Sequence, residues 1–171
     1  MKKLLLGLML AGTMVFGAKA AENIRWPIWF GFNDVEDVDV VGWRINWFSG
    51  QCDQVTGIDF LGFIGHSTSF NGIQFNLLRN DVVDVLAGWQ IGLYNTAGRC
   101  DAAGLQLGLW NEVGEMHGVQ AGLVNNCDEL HGGQLGLINI SDSAQGFQIG
   151  LINIIKGGTD IPFCPILNVG F

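Results

Sequence analysis

Two histidines stand where repetition would bring them together. His117 and His131 lie fourteen residues apart, each immediately before the first glycine of a recurring octet. If equivalent residues stack, their imidazoles come to about one strand spacing, near 4.8 Å, and neutral imidazole ligates zinc and related ions well. The flanking units carry Ala103 and Gln145 at the same place, and only Glu115 or Glu129 offers a further donor nearby. The expectation is two exposed histidines rather than a metal site. A second candidate is the run Asp34, Glu36, Asp37 and Asp39, whose oxygens suit calcium but which lacks the glycine-containing loop and closing glutamate of an EF-hand. It reads as a solvated, charged edge that discourages strand addition.

Other chemistry is thinner. No Gly-x-Ser-x-Gly elbow, His-Glu-x-x-His pair or Gly-Lys-Ser phosphate loop occurs. Paired carboxylates for glycoside cleavage need a fixed separation, and nothing singles out one pair among the sixteen acidic residues. An enzyme is not expected, and no cofactor is implied. Cys52, Cys100, Cys127 and Cys164 are spaced by 48, 27 and 37 residues, which matches no zinc motif; two disulfides are possible by three pairings, and spacing leaves open whether any forms.

The address is written at the start. Lys2 and Lys3, the apolar Leu4 to Phe16 and Ala18-Lys19-Ala20 have the charge, length and small-residue ending of a cleavable signal peptide over residues 1–20. Its loss leaves five basic residues against sixteen acidic ones, a balance that repels phosphate backbones and makes nucleic acid an unexpected partner. The first cysteine is Cys52, far from the cleavage position, so a lipid-anchored form is not expected. No other uninterrupted apolar stretch approaches the ~20 residues of a spanning helix. Periplasm, outer membrane or cell surface is the expected location.

The elements that would position these groups come from the glycines, 26 in all. Octets GWQIGLYN, GLQLGLWN, GVQAGLVN, GGQLGLIN and GFQIGLIN begin at Gly88, Gly104, Gly118, Gly132 and Gly146. Weaker copies begin at Gly42, Gly57 and Gly72, and a degenerate one at Ile161. About nine units of 14 to 16 residues result, with an N-terminal cap strand and acidic edge over 21–41, tandem repeats over 42–160 and a closing segment over 161–171. Even positions in each octet are apolar and alternate with Gly, Gln and Gly, a period of two that predicts strands. Helix is excluded by two glycines in every eight positions.

Such a period fits one coil of a parallel β-solenoid or one strand of an antiparallel outer-membrane barrel, whose C-terminal aromatic Phe171 would suit it. The connections favour the solenoid. The second residue after each octet is small or apolar (Ala97, Val113, Cys127, Ser141, Ile155), and the fifth often is too (Met116, Leu130, Ala144); a return segment closing a core needs this, whereas barrel turns do not. An all-β solenoid is therefore expected. Its Asn column (Asn95, Asn111, Asn125, Asn139, Asn153, Asn168) would form a structural ladder of side-chain amides. The Gln column (Gln74, Gln90, Gln106, Gln120, Gln134, Gln148) would form another on the outer face. Flanked by glycine, Gln90, Gln106, Gln120, Gln134 and Gln148 would make a flat strip suited to weak contact with a surface glycan or a protein partner.

Caps are expected at both ends: aromatic Arg25 to Asn33, and IPFCPILNVGF with Pro162 and Pro165 against further strand addition. With the repeats, the segments DVVGWRINWFSG (Asp39 to Gly50) and GLINIIKGGTDIPFCPILNVGF (Gly150 to Phe171) resemble the bacterial surface-repeat proteins first noted in leptospiral genomes, with tandem G-L-Q-I-G-L-I-N units. The resemblance covers nearly the whole mature chain, although Gly57 to Ile64 and Gly72 to Arg79 depart from the unit. It implies surface or outer-membrane association in Gram-negative bacteria, with no assigned enzymatic activity and no known ligand. The expected function is structural or adhesive; the alternatives are a small outer-membrane barrel and a polysaccharide-binding or polysaccharide-cleaving β-helix.

Overall fold

The computed structural model describes residues 24–31, 38–46, 49–157 and 162–170; the expected signal peptide and Asp34, Glu36 and Asp37 lie outside them. Eight strands follow in order: β1 (Ile24–Gly31), β2 (Val38–Asn46), β3 (Ser49–Ile91), β4 (Tyr94–Leu107), β5 (Trp110–Ala121), β6 (Val124–Leu135), β7 (Ile138–Ile155) and β8 (Phe163–Gly170). They form one sheet in sequence order. From β1 to β7 every neighbouring pair is parallel. The strands are wound into a β-solenoid of about 7 turns, and parallel pairing of successive coils excludes the up-and-down barrel, whose neighbours must run antiparallel.

Glycine sets the register. Gly88, Gly104, Gly118, Gly132 and Gly146 pair in one column, and each first glycine from Gly42 to Gly146 has φ between 136° and 158°. A side chain there is doubly forbidden: the conformation is strained for an L residue, and a Cβ on Gly118 would lie 2.0 Å from the carbonyl oxygen of Gly104. Units of sixteen residues join those of fourteen through an irregularity between Ala97 and Asp101, so the surplus stays out of the stacked columns.

The interior differs from the expected one. The Gln column is fully buried, from Gln74 to Gln148, and so is the Asn column from Asn80 to Asn153. The Gln residues therefore do not face outward, and they form no surface strip. Facing them across the coil are the two columns of the return segment, including Val113, Met116, Cys127, Leu130 and Ile155, all buried, as their spacing predicts. The apolar octet positions point outward instead: Trp89, Leu109, Leu123, Leu137 and Leu151 are all exposed, Leu151 by 65%.

Buried amides are tolerable where they are satisfied, an unpaired one costing about 1–3 kcal/mol, and among the amides of the described residues only Gln148 Oε1 and Asn168 Nδ2, at the C-terminal end, have no hydrogen-bond partner. Asn111 Nδ2 donates to Asn125 Oδ1 at 2.8 Å and to the carbonyl of Ala121 at 3.0 Å. The same two bonds recur at Asn95, Asn125 and Asn139. The second glycine of the octet belongs to this device, since a Cβ on Gly122 would lie 2.7 Å from Asn111 Nδ2. Gln120 Nε2 donates to Gln106 Oε1 at 2.9 Å and across the coil to the carbonyl of Asn126 at 3.3 Å.

The C-terminal end also departs from expectation. The degenerate unit is not a ninth coil: β8 runs antiparallel to β7. Asn168 consequently leaves the Asn column and pairs in register with Gln148, while Asn153 Nδ2 donates to the carbonyl of Cys164 at 3.0 Å. Reversal of direction, together with Pro165, which has no N–H, ends the parallel stack. At the other end Asp39 is buried, contrary to a solvated edge.

Candidate functional site

Among the described residues, three features concentrate polar or reactive groups. The first lies inside the early coils, where the repeat is least regular. Arg44 and Asp59 occupy the place of the glutamines, since Arg44 pairs with Asp59 two positions after paired Gly42 and Gly57. Both are fully buried, with Arg44 Nη2 2.5 Å from Asp59 Oδ2 and Nη1 donating to the carbonyl of His66 at 2.8 Å. Gln74 Nε2 and Asn76 Nδ2 also donate to Asp59 Oδ2, at 3.2 and 2.8 Å, and Asn76 Nδ2 donates to Asn80 Oδ1 at 2.9 Å.

The two ladders explain why a carboxylate is needed there. Gln donors point toward the N-terminus, each amide giving to the preceding coil, whereas Asn donors point toward the C-terminus. At the N-terminal end, the Gln ladder therefore terminates in a donor and the Asn ladder in an acceptor. Asp59 receives the first directly, and Asn76 joins the second to the same carboxylate. Arg44 balances the buried charge. Burial alone would lower its pKa, but Asp59 and Cys52 outweigh this and raise it. Burial pushes the Cys52 thiol up, partly offset by Arg44. The sequence signal was present, as Arg and Asp stand at the third octet position in GWR and GID, but the weak copies hid it.

The second feature is a surface file beside this core. Arg79 pairs with Tyr94 and Tyr94 with Trp110. The Arg79 guanidinium lies 5.5 Å from the Tyr94 ring centroid, and the Tyr94 and Trp110 rings are 6.4 Å apart. Tyr94 Oη donates to Glu112 at 2.9 Å. Asp81 lies 2.8 Å from His66 Nδ1 and 3.4 Å from Arg79; burial would raise its pKa, but the His66 bond and the Arg79 charge hold it below the usual carboxylate range.

The third is the histidine pair. His117 and His131 are register partners, and their rings stack with centroids 4.6 Å apart and planes 5° from parallel. Glu115 Oε1 lies 2.8 Å from His117 Nε2 and 3.5 Å from His131 Nε2. Strand alternation puts Glu115 and His117 on one face, and stacking of coils adds His131.

Cys52, Cys127 and Cys164 are free thiols; the Cys100 side chain lies outside what is described. Burial, reinforced by Asp128 and Asp142, pushes the Cys127 thiol up to about 12, which leaves it inert at neutral pH. Comparison with known proteins adds nothing to this geometry: no family model, curated protein or solved structure matches the chain.

Proposed function

We propose that this chain is a non-enzymatic structural or adhesive module of the bacterial cell envelope, of the surface-repeat kind that its sequence resembles, seated on the outer membrane through one apolar side. The observation that carries this reading is the set of exposed apolar columns. Leu93, Leu109, Leu123, Leu137 and Leu151 rise along one corner of the solenoid, flanked by Trp89, Trp110, Phe147 and Ile149, all exposed. Contiguous apolar surface on this scale marks contact with a partner or a lipid boundary. Exposed tryptophans suit that boundary, where an amphipathic ring meets both apolar and wet surroundings. Asp128, Glu129 and Asp142 of the return segments are exposed as well, and their positions between octets keep charge off the apolar corner. The signal-peptide pattern supplies a route to the envelope.

Flotation of the mature chain with phosphatidylethanolamine and phosphatidylglycerol vesicles tests this. The chain should rise with the vesicles and its tryptophan emission should shift to the blue, and Leu109→Glu with Leu123→Glu should leave it at the bottom. A soluble, monodisperse monomer that ignores vesicles defeats the reading. The Arg79, Tyr94 and Trp110 file favours one secondary reading, adhesion to a glycan by ring stacking. Retention on insoluble polysaccharide, lost on Trp110→Ala, would mark that use.

A further inference from the structure

We infer that Glu115, His117 and His131 form a surface site for a divalent transition cation such as Zn²⁺, whatever use is made of the apolar side. The three donor atoms lie within 4.8 Å of one another, brought together by two adjacent coils rather than by one flexible loop. A tetrahedral zinc with bonds near 2.0–2.1 Å separates its ligand atoms by about 3.3 Å. The Glu115 oxygen already stands 2.8 and 3.5 Å from the two imidazole nitrogens, on either side of that spacing. The stacked rings, 4.6 Å apart, need only tilt toward each other at their Nε2 edges. His117 is exposed, and Glu115 and His131 are partly so, which leaves room for this movement and for water in the remaining position.

The donor set selects the ion. Two imidazoles and one carboxylate suit zinc, copper or nickel, whereas calcium and magnesium require mainly oxygen ligands. The surroundings favour a cation as well. Glu115 stands in register between Asp101 and Glu129, so the field at the site is negative. Next to the histidines, Ala103 and Gln145 hold the neighbouring register positions, so the set ends after two histidines and this site takes one ion.

Titration of the purified mature chain with ZnCl₂, followed by calorimetry, should give one Zn²⁺ per chain. His117→Ala and His131→Ala should each weaken binding by at least ~10-fold, while His66→Ala leaves it unchanged, and Ca²⁺ should not compete. Retained binding in the His117→Ala, His131→Ala double variant, or no binding by the parent chain, overturns the assignment. A second measurement needs no variant: Zn²⁺ should protect His117 and His131, but not His66, from diethylpyrocarbonate, read by mass spectrometry of the peptides. Equal modification of all three with and without zinc also overturns it.

Discussion

The early coils and the later ones solve the same problem with different chemistry. From Gly88 to Ile155 the interior is a repeated set of neutral amides and apolar side chains, each amide bonded to its counterpart one coil away. Around Arg44 to Asn80 the same columns hold a buried ion pair and two amides converging on one carboxylate; buried polar atoms without a hydrogen-bond partner among the described residues lie toward both ends of the stack, Arg44 Nε and Ser67 Oγ here and Gln148 Oε1 and Asn168 Nδ2 near the C-terminus. The difference shows that a ladder of oriented amides is self-sufficient in its middle but not at its end. A terminal amide has no neighbour to accept its hydrogen bond, and here the Asp59 carboxylate accepts it.

Removing that charge is the severest way to break the comparison. Asp59→Ala leaves Arg44 buried beside no carboxylate and takes an acceptor from Gln74 and Asn76 together, so a loss of ~3–5 kcal/mol is expected. Urea unfolding of residues 21–171 measures it. A loss below that of a single ladder amide would mean that the ion pair does not terminate the ladders.

A substitution in the middle should cost less. Gln120→Leu keeps the bulk but deprives Gln106 Oε1 and Gln134 Nε2 of a partner, and ~1–3 kcal/mol is expected for the groups left unpaired. Gln134 retains the carbonyl of Ile140 at 3.2 Å, which keeps the effect below that at Asp59. Unfolding curves for the two variants, taken under the same conditions, rank the regions directly.

The contrast also explains what can be read from sequence. Parallel coils, the Asn ladder and the inward return columns follow from period and spacing: Val113, Met116 and Leu130 are buried where a closing segment requires apolar residues. A period of two separates the faces of a strand without saying which face is inside. The usual preference for apolar residues inward places the Gln column outside, and it fails because the glutamines from Gln90 to Gln134 each give to one neighbour in the ladder and accept from the next, while Leu109 and its counterparts remain exposed. The end of the chain departs from its pattern for another reason. Asn168 follows Ile166 and Leu167 as in the octets, but strand direction is not encoded in that pattern, and the reversal at β8 moves it to face Gln148. Glu115 gains its role from a distance that only stacking fixes. His117 and His131 are legible as a pair from their shared column, with Glu115 or Glu129 as the further donor, but the choice of Glu115 needs side-chain geometry.

The smallest expected effect is the most informative. Arg44→Gln with Asp59→Gln would extend the neutral ladder by two coils. The new amide at position 59 offers its Oε1 to Gln74 and its Nε2 to the new amide at position 44, repeating the later bonding pattern. Exchange of a buried ion pair for a matched neutral set is often neutral, so the double variant should unfold within ~1 kcal/mol of the parent chain. Asn76 still finds an acceptor, since a carbonyl oxygen accepts two bonds, and Asn80 Oδ1 remains in reach. The burden passes to position 44, where the introduced amide then needs an acceptor in the coil before it. If the double variant loses as much as Asp59→Ala, the terminal donor matters more than the buried charge, and an anionic end is a requirement of the ladder. If it matches the parent, the early coils differ from the later ones by substitution alone, and the fold accepts either interior.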